Sequence, residues 1–309
     1  MRLMAFFILS AFTLILFLMT LFSSFADEPF LFPVLLLLVI LTVFSMQNEF
    51  KKQLKEQKIH HSESVSLLIL LATVAGALMS YLLNIYFGLG AVVAASLVGI
   101  VGSSLAKKYS VPIYCGSFVG MISPKVLHDF THVLMASFIA GILFILSQKV
   151  YKGIGGKLGA IAFSSWILLS WLSKVELVKG NKISMMTGLY IFIFSVIGVL
   201  LTHILSIRLK KDIVASSSAV SLIAGLVFPV VYPDSGSTIA AATMCASFVG
   251  MSSKRIVRHE LDALLSGTIM GILFLMSVEH FGGAGGKLGT IAFGSALCLK
   301  GMHDLRGKT

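Results

Sequence analysis

The sequence predicts an all-α, polytopic membrane protein: two N-terminal helices followed by an internal 5+5 duplication of inverted topology, with a short third segment in each repeat. Three observations lead there. The apolar runs are too long and too many for a soluble core, charged residues are only 12% of the chain, and the chain matches itself at a shift of 130 positions.

Composition sets the class. Hydrophobic residues are 57% of the 309, with a mean hydropathy of +0.97. A soluble domain covers its surface with roughly 25% charged residues. A chain with half that must turn much of its surface toward something apolar, and a bilayer is the natural candidate. The formal net charge is +11. The bases fall in short loops between apolar runs, as expected where Lys and Arg stay on the cytoplasmic side. That placement argues against a nucleic-acid partner and for membrane lipids and a small-molecule solute. Cys115, Cys245 and Cys298 lie in apolar surroundings and form no CxxC. Neither a disulfide framework nor a zinc ribbon is expected, and no cofactor.

Residues 1–62 read as a two-helix segment. Leu3 to Phe25 is long enough to span. It ends in Ser24, Phe25 and Ala26 before Asp27 and Glu28, the outline of a signal-peptidase site, so 1–26 reads as a retained helix or a cleaved signal. Phe30 to Met46 then crosses back toward Lys51, Lys52, Lys55 and Lys58.

The duplication is read by sliding the chain along itself. Cys115, Ser117, Phe118, Val119, Gly120 and Met121 fall on Cys245, Ser247, Phe248, Val249, Gly250 and Met251. Gly141–Phe144 falls on Gly271–Phe274, and Gly155–Gly159 on Gly285–Gly289. Positions 115 to 169 hold 25 identities in 55 without a gap. Repeat 1 is taken as 63–178 and repeat 2 as 183–303. The unit is too long for a solenoid repeat of roughly 20–50 residues and suits a transporter or channel.

Each repeat reads as five apolar segments. The first has Val65–Phe87, Ala91–Leu105, Val111–Ile122, Val133–Leu146 and Leu158–Leu172. The second has Ile183–Ile207, Ile213–Val231, Ile239–Met251, Leu261–Val278 and Leu288–Leu299. The third is short in both: a dozen helical residues reach about 18 Å, against a hydrocarbon core of about 30 Å. If it crosses, the repeats are inverted; if not, they are parallel. With the N-terminus inside, the inverted arrangement puts 19 Lys and Arg inside and 5 outside, the parallel one 17 and 7. The totals barely differ. The richer copy, however, alternates at every loop, as expected of copies that have exchanged sides.

Three sets of residues could carry chemistry. The third segments offer Cys115, Ser117 and Gly120, with Cys245, Ser247 and Gly250, as hydroxyls and exposed backbone at membrane depth; the same small residues also serve close helix packing. Lys157 and Lys287 follow paired glycines at a helix start, where free N–H groups and a cation together suit an anion. Close packing of the glycines with snorkelling lysines is the simpler account. His128 and His132, four apart, could share a helix face and hold a metal, with Asp129 where a metalloprotease has Glu. Repeat 2 has Arg258 and Asp262 at those positions, so the pair has no counterpart.

No acid or base sits mid-span, so a proton relay has little support. The leading expectation is transport of a small anion or anionic metabolite by a secondary carrier or facilitator, not an enzyme. The substrate-binding set would be Cys115, Ser117, Gly120, Cys245, Ser247, Gly250, Lys157 and Lys287, between the repeats. The alternatives are an intramembrane metal protein using His128 and His132, and a non-transporting membrane scaffold. A bacterial-type plasma (inner) membrane is the expected location, and a homo-oligomer is compatible with it.

Overall fold

The computed structural model describes residues 2–56, 67–124, 126, 129–173, 180 and 183–307. It is all-helical, with no strand among the described residues. α1 (Arg2–Asp27) and α2 (Phe32–Glu56) form an N-terminal hairpin. Then come α3 (Leu67–Tyr81), α4 (Ala91–Leu105), α5 (Ser110–Val119), α6 (Phe130–Leu146) and α7 (Lys157–Ser173). The last five are α8 (Met185–His203), α9 (Ile213–Val231), α10 (Gly236–Gly250), α11 (Glu260–Ser277) and α12 (Lys287–Leu305).

Six helical stretches are long and apolar enough to cross a bilayer: Arg2–Phe25, Phe32–Lys55, Leu67–Tyr86, Met185–Arg208, Ile213–Val231 and Glu260–Ser277. They are compatible with a multi-pass membrane protein. Helices suit that solvent because every backbone N–H finds its acceptor within the segment. The hydroxyls follow the same logic. Thr13, Thr20, Thr42, Ser96, Ser195 and Ser277 each donate back to the carbonyl four residues earlier, so none is buried unpaired.

α3 and α8 both run on into a five-residue π-turn, Leu82–Tyr86 and Ile204–Arg208. The third segments differ from expectation. α5 is ten residues, but α10 is fifteen and starts at Gly236. Gly236 admits the turn because its Cα lies against the Phe228 carbonyl, where any Cβ would collide.

Glycines set the closest helix crossings. A Cβ on Gly159 would overlap the backbone of Gly289, and one on Gly156 the backbone of Phe293. One on Gly286 would overlap Gly159 and Phe163. Low numbers on α7 thus face high numbers on α12, and the two cross antiparallel. α4 and α9 do the same: Gly99 faces Ser218, while Val92 and Val93 face Gly225. Small residues at such contacts let backbones approach and gain dispersion where lipid removes the hydrophobic drive.

Loops tie the same elements together. The Ser253 N–H donates to the Gly153 carbonyl at 2.9 Å, and the Ser123 N–H to the Gly283 carbonyl at 2.9 Å. The N-terminal hairpin docks through Tyr151, six residues ahead of α7. Its hydroxyl lies 2.6 Å from Ser10 Oγ, and its N–H donates to Glu49 Oε1 at 3.1 Å. Its ring stacks on Phe6 and meets the edge of Phe293. Tyr151 has a φ of +52°, a left-handed conformation that costs a non-glycine residue roughly 1–2 kcal/mol. Its buried contacts offset that cost. Behind the hairpin, the Phe17 ring covers Gly294, and Cys298 Sγ donates to the Leu38 carbonyl at 3.1 Å.

Candidate functional site

α5 and α10 meet through aromatic side chains, and their sequences explain how. Each places an aromatic ring and a small hydroxyl one residue apart: Ser117 and Phe118, Ser247 and Phe248. The rings of Phe118 and Phe248 lie 4.6 Å apart, and Tyr114 stacks edge-on against Phe118 at 4.5 Å. All three side chains are buried.

Beside the rings runs a chain of hydroxyls. Tyr114 Oη lies 3.1 Å from Ser217 Oγ, Ser217 Oγ 2.8 Å from Ser247 Oγ, and Ser247 Oγ 3.0 Å from Ser221 Oγ. Ser247 also donates to the Met244 carbonyl at 2.7 Å and Ser221 to the Ser217 carbonyl at 2.8 Å, so Ser247 accepts from Ser217. Among the described residues, Ser218 Oγ, equally buried, has no hydrogen-bond partner. It faces Gly99, whose missing Cβ leaves room for both that hydroxyl and the Tyr114 ring.

One of two similar cavities reaches this contact. It is about 570 Å³ and has Lys108, Gln148, Lys152, Lys157, Phe118 and Phe248 in its wall. The other, about 580 Å³, has Met121, Ser123, Ser237, Thr238, Phe274 and Lys287. Their walls share positions 130 apart: Phe144 and Phe274, Gln148 and Val278, Gly153 and Gly283, Lys157 and Lys287, with Met121 answering Met251. Among the described residues, no carboxylate lines either cavity.

The expected site residues divide into three kinds. Ser247 belongs to the hydroxyl chain, whereas Ser117 is buried and donates to the Tyr114 carbonyl. Cys115 and Cys245 donate their thiols to the carbonyls of Leu158 and Leu288, which seats α5 on α7 and α10 on α12. Gly120 and Gly250 are close-packing positions, against α3 at Ala77 and Tyr81 and against α8 at Val199 and Thr202. The Asn84 amide, in the first π-turn, donates to the carbonyls of Gly120 and Ile122 at 3.3 and 3.1 Å and so completes the end of α5.

The two lysines have definite partners. Lys157 Nζ donates to the carbonyls of Ser147 and Val150, at 2.5 and 2.7 Å, and Lys287 Nζ to that of Val278 at 2.8 Å. Each ammonium thus covers carbonyls at the end of the preceding helix. That offsets the unfavourable cation at the start of its own helix. Each also lines one of the cavities.

Of the proposed metal pair, His128 lies outside the described residues. His132 Nδ1 lies 3.1 Å from Asp129 Oδ2, and Asp129 caps α6 through the Thr131 N–H. The Thr131 hydrogen bonds and then His132 hold the exposed Asp129 carboxyl below its usual range. No cluster of three metal-ligating side chains occurs among the described residues. Lys58 and Lys125 also lie outside them.

Tyr114, Ser217, Ser218 and Ser221 were not singled out from the sequence. The available signal was the run Ser216–Ser218 with Ser221 inside an apolar helix, where positions four apart share a face.

No protein family, no curated protein and no solved structure matches this chain. Its class therefore rests on its own architecture: a helical bundle with six apolar helices of membrane-crossing length.

Proposed function

We propose that the chain carries a small solute, an anion or anionic metabolite, across a bacterial-type plasma membrane as a secondary carrier or facilitator. The observation that carries this reading is the pair of similar cavities built from matching positions, one of them ending on the Phe118–Phe248 contact. Two like cavities on repeated elements suit alternating access around a central site.

The arrangement proposed is two N-terminal helices plus five and five, the fives being inverted copies. Several features support it beyond the identities in the sequence. α4 with α9, and α7 with α12, pair equivalent helices and cross antiparallel, as a pseudo-twofold axis lying in the membrane plane requires. In a parallel arrangement Gly153 and Ser253 would fall on opposite faces, yet they share a hydrogen bond. The same holds for Ser123 and Gly283. In the inverted arrangement the Lys108 cavity opens to the cytoplasm and the Lys287 cavity to the outside.

The anionic assignment rests on the cavity walls. Among the described residues, three lysines line one and one lines the other, with no acid in either. Cations without carboxylates beside them favour an anion over a cation there. Purified protein in proteoliposomes tests this with a panel of small inorganic and carboxylate anions. Uptake of at least one of them above protein-free vesicles is expected. Flux of cations alone rejects the charge assignment, and no flux of any solute rejects transport.

A further inference from the structure

A solute that meets the two cavities in turn is recognised by what their walls share. Apolar side chains recur across the 130-residue shift: Phe144, Leu158 and Met251 in the first wall answer to Phe274, Leu288 and Met121 in the second. Lys157 answers to Lys287, and among the described residues this is the one cationic position common to both walls. The other lysines are one-sided. Lys108 and Lys152, both exposed, line the first cavity, and Thr238 and Gly282 stand at their counterparts in the second.

The shared recognition is therefore one ammonium beside an apolar, partly aromatic wall. One fixed cation balances one negative charge. A dianion would leave its second charge unpaired against apolar side chains, which is costly. The ammonium groups have donors to spare, since each carries three N–H. Lys157 uses two of them, on the carbonyls of Ser147 and Val150, and Lys287 one, on that of Val278. An N–H on each is left for a carboxylate oxygen. The space is larger than a charged group needs. Cavities of about 570 and 580 Å³ fall in the range of about 300–1,000 Å³ that takes whole organic ligands. An inorganic anion would leave the phenylalanine, leucine and methionine side chains facing water, whereas an apolar body on the anion would cover them.

We propose that both cavities take an amphiphilic monocarboxylate, a single carboxylate on an aromatic or aliphatic body. Its charge meets Lys157 in one cavity and Lys287 in the other, and its body packs on Phe144 or Phe274. Lys108 and Lys152 draw the anion to the first cavity from that side alone. The inference rests on the transport reading for one point, that a single solute visits both cavities. The binding it requires is measured without transport.

The test uses the full chain, first as purified protein and then in proteoliposomes. Binding of phenylacetate, acetate, succinate and inorganic phosphate is read by calorimetry. Phenylacetate is expected to bind at least about tenfold more tightly than the other three, because its ring buries apolar surface that they lack. Phe144→Ala is expected to narrow the ratio of phenylacetate to acetate affinity at least about threefold. Its melting temperature checks that it folds, and the wild-type series decides the proposal if it does not. In proteoliposomes benzenesulfonate stands in for the aromatic carboxylate, because it stays ionised and does not cross the bilayer as a neutral acid. Its uptake is expected to exceed that of methanesulfonate. Binding that favours succinate or phosphate, or an unchanged ratio in folded Phe144→Ala, overturns the proposal and leaves anion transport standing. Tight phenylacetate binding with no flux of any anion supports the site and rejects transport. No binding of any of the four overturns the proposal outright.

Discussion

Phe118 and Phe248, one from α5 and one from α10, hold their ring centroids 4.6 Å apart in the wall of the cavity of about 570 Å³. Each is the other's counterpart at the 130-residue shift. In the proposed inverted arrangement a contact between equivalent residues sits on the axis relating the two halves, where a partition between the two cavities would lie.

The first prediction follows from that contact. An aromatic pair contributes about 1 kcal/mol beyond its buried area. If the pair holds the partition shut, the Phe118→Ala/Phe248→Ala variant should leak its solute passively at least fivefold faster, the rate equivalent of about 1 kcal/mol. Proteoliposome efflux without a driving gradient measures it. An unchanged leak in folded protein would place the barrier elsewhere.

The second concerns sidedness. All three native cysteines are buried, so an impermeant maleimide should see only cysteines introduced at exposed loops. Pro233→Cys is expected to label in intact cells and Lys108→Cys only after the membrane is opened. Labelling of both from one side would remove the inverted arrangement and the alternating gate with it.

Much of the fold could be read from residue patterns, because long apolar runs report helices of membrane-crossing length. Most expected segments reappear as helices with ends displaced by a few residues, although α2 runs ten residues past Met46. The start of α10 was missed because Gly236, Ser237 and Thr238 look like loop and become helix only once Gly236 is packed on the Phe228 carbonyl. The two π-turns carry no composition of their own. The hairpin's dock at Tyr151 depends on Glu49 and Ser10, more than a hundred positions away, and no periodicity reports such a pair. The site was half legible. Repetition exposed Ser247, Lys157 and Lys287. Ser217 and Ser221 lie outside the stretch of matched identities, so repetition could not point to them.

The lysines supply the third prediction. Lys157 reaches two carbonyls and Lys287 one. A hydrogen bond to a charged group is worth about 1.5–3 kcal/mol, and its loss strands the buried acceptor. Lys157→Met should therefore lower the melting temperature more than Lys287→Met, each by several degrees. A solute contact would add a second signature, a raised KM for anion uptake measured below the melting range. Loss of stability with unchanged KM assigns the ammonium groups to helix capping alone.

The hydroxyl chain supplies the fourth. Ser247 is its branch point, donating to the Met244 carbonyl while Ser217 and Ser221 lie within 2.8 and 3.0 Å. Ser247→Ala leaves the Ser217 hydroxyl short of its acceptor, while Ser221 keeps the Ser217 carbonyl, at a cost of about 1–3 kcal/mol. Tyr114→Phe removes only the terminal hydroxyl and should cost about 1 kcal/mol. Ser117 has the same relation to its own helix but lies outside the chain, since it bonds only the Tyr114 carbonyl. Ser117→Ala is thus the matched control. If the solute is held by these hydroxyls between the two cavities, Ser247→Ala should shift relative uptake among anions about tenfold, the rate equivalent of about 1.4 kcal/mol. Ser117→Ala should leave that order unchanged. Competition uptake with paired anions reads the ratio directly, free of differences in protein amount. Equal effects of the two alanines would show that the cluster packs the bundle without meeting the solute.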